Sequence, residues 1–276
     1  MLVAVCLSEP RRRFLSRRRR PPEVRAEFVG AGSGRYVKIT ADVGRDGQPD
    51  WTAVRRAAGR EAGRLLLPQG FVPPVQARVG TFDGIALARK MVEKAGVALL
   101  KAVSMHPRLV QIGVDDPQGS CPDLPLAFLP YAADVRVATR RPDRYARQRY
   151  LAMELYGATL SVTAEPGSLS GSLLLLAPDG PSEGMERVAG RGLVLSAVPA
   201  QGKAVVDGYI PRAPRGVLEA NPPGCDPQRF LAGLYELSGV REIAAGPPEF
   251  LRMGAHILTL RDAAWRLAGL DIGITV

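Results

Sequence analysis

The chain has 276 residues, 46% of them hydrophobic and 23% charged, and its 37 basic and 27 acidic side chains give a formal charge of +10. This composition is typical of a globular protein and excludes a disordered, collagen-like or coiled-coil chain. The three cysteines are far apart and lack a CxxC pair, so neither a disulfide framework nor a zinc site is predicted. No apolar stretch reaches the roughly 18 residues of a membrane span. The first apolar run precedes the arginines, the reverse of a secretory signal, so we expect a cytoplasmic protein.

The first 104 residues predict a small α+β lobe with a β-hairpin and two helices. Short runs rich in β-branched residues flank a glycine-rich segment, which is typical of a hairpin tip. One helix opens at Trp51 and is stopped by Pro68, and a second begins after Thr81 as its N-cap. The predicted strands are 1–7, 23–29 and 35–42, and the predicted helices are 51–67 and 81–104.

This lobe also carries an arginine run, RRRFLSRRRR, over residues 11–20. Three interpretations stay open for it: a solvated loop, a weak and non-specific contact with nucleic acid or another polyanion, or a contact with anionic lipid or an acidic partner. Phe14 is the one aromatic ring inside the run, which argues against a stacking site for single-stranded nucleic acid. The candidate polyanion contacts are Arg11, Arg12, Arg13, Arg17, Arg18, Arg19 and Arg20.

From residue 105 onward, apolar strands alternate with helical segments. Strands that are apolar along their whole length are typical of parallel sheets covered on both faces. We therefore predict an α/β fold: an open, mostly parallel Rossmann-like sheet over 105–276 with an irregular C-terminal part, and the smaller α+β lobe before it. The predicted strands are 109–114, 134–139, 159–163, 173–176, 192–198 and 203–210, and the predicted helices are 123–133, 142–157, 227–237 and 261–267.

Residues 109–176 resemble one βαβαβ half of a Rossmann-type NAD(P)-binding protein. The second strand, VRVATRR, is similar to strands that such proteins follow with a basic residue for the adenosine 2′-phosphate of NADP. The resemblance implies this role for Arg140 and Arg141, with Thr139 at the strand tip. The later VLSAVP segment, which contains Ser196, is similar to strand ends on which shikimate-dehydrogenase-like proteins seat a nicotinamide.

The glycine fingerprint of that family is missing after the first strand. The sequence there reads GVDDPQGS instead of G-x-G-x-x-G. Asp115 and Asp116 repel a phosphate that approaches them, and Pro117 offers no backbone donor. NADP is one candidate cofactor, but the missing glycine motif argues against it. The identity of the cofactor stays open.

The Asp115–Asp116 pair has two further interpretations. The pair can be a polar turn, since Asp-Asp-Pro-Gln-Gly is ordinary turn chemistry. Carboxylates at a strand end also hold Mg²⁺, as in response-regulator receiver domains, which this pair and the later LLLLAPDG resemble. Ala177 occupies the phospho-acceptor position of that pattern, so the resemblance does not extend to its chemistry.

Two functions follow from this pattern. The first is binding of a nucleotide-like or other anionic small molecule at the carboxyl ends of the sheet strands, where ligands of open α/β sheets lie. The alternative is a non-catalytic scaffold with a degenerate Rossmann lobe and the arginine run as a polyanion-binding segment. No catalytic residue is predicted, and enzyme status stays open. The candidate ligand contacts are Asp115, Asp116, Thr139, Arg140, Arg141, Asp179 and Ser196.

Overall fold

The computed structural model describes residues 1–8, 23–44, 46–103, 105–185 and 192–269. The arginine run of residues 11–20 lies outside them, so its predicted contacts stay predictions. The helices are α1 (Trp51–Ala58), α2 (Ile85–Val103), α3 (Ala146–Tyr156), α4 (Pro227–Leu237) and α5 (Leu260–Leu267). The strands are β1 (Val3–Ser8), β2 (Val24–Ala31), β3 (Gly34–Asp42), β4 (Gln111–Asp115), β5 (Asp134–Ala138), β6 (Leu160–Thr163), β7 (Leu174–Ala177), β8 (Leu193–Ser196), β9 (Val205–Val206), β10 (Gly208–Ile210), β11 (Phe250–Met253) and β12 (His256–Thr259).

Contacts between Cα atoms divide the chain into two compact units. The first consists of Met1–Leu87 and Ala213–Ala245, and the second of Ala88–Arg212 and Gly246–Val276. The predicted boundary after residue 104 stays a prediction. Within the described residues, none of the helices combines the length and the apolar character needed to cross a membrane.

The first unit contains a three-stranded sheet in the order β1-β3-β2. Strand β1 runs parallel to β3, and β2 and β3 form the predicted antiparallel hairpin. The hairpin tip needs glycine at Gly32, which has φ +57° and where a Cβ atom would lie 2.7 Å from Val217 Cγ2. The prediction of a hairpin around the glycine-rich segment is therefore confirmed.

Helices α1 and α2 are both shorter than the sequence predicts. Helix α1 begins as expected, with the Asp50 carboxylate accepting from two backbone N–H groups, but it ends at Gly59, which has φ +57°. The prediction that it runs to residue 67 is wrong, because Leu65 and Leu66 form β-bridges instead. Thr81 is the bridge partner of Leu65 and caps no helix, and α2 begins only at Ile85.

The second unit is built on a six-stranded, wholly parallel sheet in the order β6-β5-β4-β7-β8-β9. The prediction of parallel neighbours at 109–114, 134–139, 159–163 and 173–176 is confirmed to within two residues. From β4 the chain adds strands β5 and β6 on one side of the sheet, and it then returns to add β7, β8 and β9 on the other side of β4. This is the strand order of the doubly wound Rossmann fold. The central strands are buried on both faces, as the consecutive buried residues 112–115 of β4 and all of β7 illustrate.

Segments that connect these strands differ from the prediction in two places. The residues predicted as a helix over 123–133 form only a short 3-10 helix, Leu124–Phe128. The ring of Phe128 packs against Gly96 of α2, where a Cβ atom would lie 2.8 Å from it. The predicted helix over 142–157 begins as a 3-10 turn, continues as α3 and ends at Gly157 in the left-handed conformation.

A small antiparallel sheet, β10-β11-β12, completes the second unit. The predicted single strand over 203–210 is wrong, because β9 belongs to the parallel sheet and β10 to the antiparallel one. Asp207 separates them, and its backbone N–H donates to the Arg252 carbonyl over 3.1 Å. The β11–β12 hairpin was not predicted, since its strands have only four residues each.

Candidate functional site

The predicted ligand contacts lie along one edge of the six-stranded sheet. Because the strands are parallel, their carboxyl ends meet at the same edge, and β4, β5, β7 and β8 end there at Asp115, Ala138, Ala177 and Ser196. We call this the carboxyl edge. The other predicted contacts follow within three residues of a strand end: Asp116, Thr139, Arg140, Arg141 and Asp179.

Asp115 is used inside the protein. Its side chain is buried, Oδ2 accepts from the Ser182 backbone N–H over 2.5 Å, and Oδ1 accepts from the Ser182 hydroxyl over 2.9 Å. Burial raises the pKa of this carboxyl group, and the two Ser182 hydrogen bonds oppose that effect. Ser182 follows β7, so these bonds join the end of β4 to the loop after β7 at the position where strand order reverses.

Asp116 is fully buried and has a different set of partners. Oδ1 accepts from the Ser120 N–H over 2.8 Å, and Oδ2 accepts from the Cys121 N–H over 2.9 Å and from the Tyr145 hydroxyl over 2.5 Å. In Rossmann proteins, backbone N–H groups after the first strand bind the pyrophosphate of the dinucleotide. Here a carboxylate of the chain itself occupies the N–H groups of that loop.

The loop after β4 lies close to the residues after β5. Gly119 has φ +64°, and a Cβ atom there would lie 3.0 Å from Arg144 Cγ and 3.1 Å from Arg141 Cβ. The Arg140 N–H also donates to the Pro117 carbonyl over 3.2 Å. Glycine therefore allows the loop to pack against the stems of two arginines.

The arginines around this loop differ in their partners. Arg141 pairs with Asp143 over 3.2 Å, while the buried Thr139 hydroxyl accepts from the Arg141 N–H over 3.1 Å. The exposed side chains of Arg140 and Arg144 have no hydrogen bond or salt bridge to any described residue, although the charge of Arg144 adds to the effect of Arg141 in lowering the pKa of Asp143. These two cations are therefore available to an anion that approaches the carboxyl edge.

Asp179 and Ser196 also have partners within the chain. The Asp179 carboxylate accepts from the Arg89 guanidinium and from the Ser120 hydroxyl, and Arg89 Nε donates to the Pro178 carbonyl over 3.3 Å. The buried Ser196 hydroxyl donates to the Val198 carbonyl over 2.6 Å. Their role as ligand contacts stays a prediction.

Sequence reasoning missed several members of this edge. Arg89 lies in α2, far from the strands in sequence, and Tyr145 reads as an ordinary apolar position of the helical segment. A signal for Ser120 was present, because an Asp four residues before it, next to a proline, is typical of side-chain capping of a turn. The missed residues are Arg89, Ser120, Tyr145, Arg144 and Ser182.

Two further features bear on the chemistry of this edge: the grouping of metal-ligand side chains and the state of the Cys121 thiol. In the described ranges, no group of three or more His, Cys, Asp or Glu side chains is placed to hold a metal ion. Cys121 contributes its backbone N–H to Asp116, and burial raises the pKa of its thiol to about 11 although Arg89 opposes this. The thiol is therefore protonated at neutral pH and a poor nucleophile.

Comparison with known proteins gives only distant likenesses. No family model and no curated protein matches the chain. The ligand-free 5-ketofructose reductase of Gluconobacter sp. strain CHM43 is 16% identical, with 86% of this chain and 88% of that chain covered and a TM-score of 0.30. The L-tryptophan dehydrogenase from Nostoc punctiforme is 12% identical, with 85% and 66% covered and a TM-score of 0.30. The Rossmann-like fold therefore rests on the strand order itself.

Proposed function

We propose that this protein binds a nucleotide-like or other anionic small molecule at the carboxyl edge, with Arg140 and Arg144 as its cationic contacts. The observation that carries the proposal is that both side chains are exposed next to the loop after β4 and form no salt bridge to a described carboxylate: the Arg140 N–H donates to the Pro117 carbonyl, and the Arg144 stem packs beside Gly119. A guanidinium binds phosphate or carboxylate through paired N–H donors, which suits an anion at this position.

The proposed ligand does not use the N–H groups that hold a dinucleotide pyrophosphate. Asp116 accepts from two of them, and a phosphate there would meet a buried negative charge. We therefore expect NAD and NADP to bind no tighter than a simple nucleotide such as ADP. If NADP binds, Arg140→Ala weakens NADP more than NAD, because the lost contact is to the 2′-phosphate.

Isothermal titration with ADP tests the proposal. We expect saturable binding that Arg140→Gln and Arg144→Gln each weaken about tenfold or more, the usual effect of losing a charge-assisted hydrogen bond. Arg108→Gln is the matched control, because Arg108 is also exposed but precedes β4 at the opposite end of the strand. Absence of saturable heat at millimolar ADP, NAD and NADP contradicts the proposal, and so does an equal loss in the control.

A non-catalytic scaffold is the second candidate, and one observation favours it. All four carboxylate oxygens of Asp115 and Asp116 accept hydrogen bonds inside the chain, so these two acids are satisfied without a ligand. The scaffold function is supported if the protein binds neither ADP, NAD nor NADP and its melting temperature does not change in their presence.

A further inference from the structure

A second basic site lies in the second unit, away from the carboxyl edge. A cavity of about 340 Å³ is lined by residues from three places in the chain: the segment before β9, the tip of the β11–β12 hairpin, and helix α5. Its charged or titratable lining residues are Lys203, His256 and Arg266. Because Lys203 precedes β9, it lies at the amino end of its strand, whereas Arg140 follows the carboxyl end of β5.

The hairpin tip fixes one wall of this cavity. Met253 and His256 are directly paired across the two-residue loop, and Gly254 takes φ +59° at its first position, as a type II′ turn requires. Arg266 reaches this wall from α5, where one of its N–H groups lies 3.8 Å from the Met253 sulfur. A thioether is a weak acceptor, so the guanidinium keeps most of its hydrogen-bonding capacity.

Acidic residues near the cavity are already engaged. Asp207 accepts from Arg252 through Oδ1 over 3.2 Å and from the Ala200 N–H through Oδ2 over 3.3 Å. Asp262, four residues before Arg266, forms a capping box with Thr259 at the start of α5. In the part of the chain that the structure describes, no carboxylate forms a salt bridge with Lys203, His256 or Arg266, although the charge of Arg266 adds to the Thr259 hydrogen bonds in lowering the pKa of Asp262.

We propose that this cavity binds a small, multiply charged oxyanion that carries phosphate or carboxylate groups. Like charges that share a cavity repel each other, and a bound anion removes that cost. The volume lies within the range of about 300–1,000 Å³ that is usual for small-molecule sites, so it admits a ligand larger than a single ion. Met253 contributes an apolar surface beside the cations, which suits an organic anion.

Titration calorimetry with pyrophosphate and, separately, with citrate tests this site and distinguishes the two anion types. We expect saturable binding of at least one probe, weakened about tenfold or more by Arg266→Gln and by Lys203→Gln. Arg261→Gln is the matched control, because Arg261 lies on the same helix but its guanidinium stacks 4.5 Å from the Trp265 ring and does not line the cavity. Because Lys203 is exposed, Lys203→Gln should fold normally. It therefore tests the site even if the Arg266 variant does not fold.

Three results would overturn the proposal. The first is no saturable binding of either probe, and the second is an equal loss of affinity in the Arg261 control, which would indicate attraction to net charge alone. The third is loss of binding in Arg140→Gln, which would assign the probes to the carboxyl edge. Retention of pyrophosphate or citrate binding in Arg140→Gln, with or without ADP binding, keeps this site separate from the proposed function.

Discussion

Tyr145 donates its hydroxyl hydrogen to Asp116 Oδ2 over 2.5 Å, and both side chains are fully buried. Burial raises the pKa of Tyr145, and the hydrogen bond to Asp116 adds to that effect. The same carboxylate binds the N–H groups of the loop after β4. This pair therefore organises the loop that binds pyrophosphate in a dinucleotide-binding Rossmann protein.

Removal of the Tyr145 hydroxyl should destabilise the protein. Tyr145→Phe deletes one hydrogen bond to a buried carboxylate and should lower the free energy of unfolding by about 1.5–3 kcal/mol. Tyr150→Phe is the control, because Tyr150 is 66% exposed on the neighbouring helix α3. Urea denaturation measures both, and an equal effect of the two substitutions would show that the Tyr145–Asp116 bond contributes nothing.

Asp115 should make stability depend on pH. Burial raises its pKa above the ordinary 3.8, so the folded state favours the protonated form and its contribution to stability is lost as pH rises through the folded-state pKa. Asp115→Asn cannot ionise and still accepts from the Ser182 N–H. The free energy of unfolding of the variant, relative to wild type, should therefore increase between about pH 4 and neutrality. If the difference in free energy of unfolding between the variant and wild type stays constant over this range, the pKa of Asp115 is not raised in the folded state.

Gly119 and Gly157 form a matched pair of left-handed glycines, with φ of +64° and +60°. Gly157→Ala introduces only backbone strain, about 1–2 kcal/mol, because nothing lies within 4 Å of the added Cβ. Gly119→Ala adds the close approach to Arg141 and Arg144, so it should cost more and weaken ADP binding. Chemical denaturation and ADP titration of both variants give the comparison. An equal loss of unfolding free energy in the two variants would mean that the Arg141 and Arg144 side chains move aside without cost.

The arginine run lies outside the described residues, and heparin chromatography tests it as a polyanion-binding segment. We expect weak retention on heparin that falls steeply with salt, as counterion release requires. Replacing Arg17–Arg20 with serine should abolish retention and leave the melting temperature unchanged. A variant that melts earlier would show that these arginines take part in the folded structure.

The sheet was predictable from the sequence because its strands are apolar along their whole length. Buried parallel strands such as β7, with the sequence LLLA, give a signal that needs no knowledge of neighbours. Helix limits were less predictable, since Gly59 ends α1 inside a pattern that stays apolar to Leu67. The short strands β9 and β10 were predicted as one strand because they differ only in their backbone partners, which change at Asp207 from the parallel to the antiparallel sheet.

For the candidate site, the sequence predicts which residues lie at the carboxyl edge but not their hydrogen-bond partners. Strand ends show which residues reach the carboxyl edge, and Asp115, Thr139 and Arg140 do lie there. Sequence does not show which of them are satisfied inside the chain. Besides the nearby loop residues Ser120 and Cys121, Asp116 accepts from Tyr145 before α3, and Asp179 accepts from Arg89 in α2. Only the folded chain brings these distant partners together.

A crystal structure of the protein with ADP would show directly whether the nucleotide binds at Arg140 and Arg144. We expect the ADP phosphates within hydrogen-bond distance of the Arg140 or Arg144 guanidinium, with Asp116 still accepting from Ser120, Cys121 and Tyr145. Phosphates bound to the Ser120 and Cys121 N–H groups, with Asp116 displaced, would contradict it and restore the dinucleotide mode of binding.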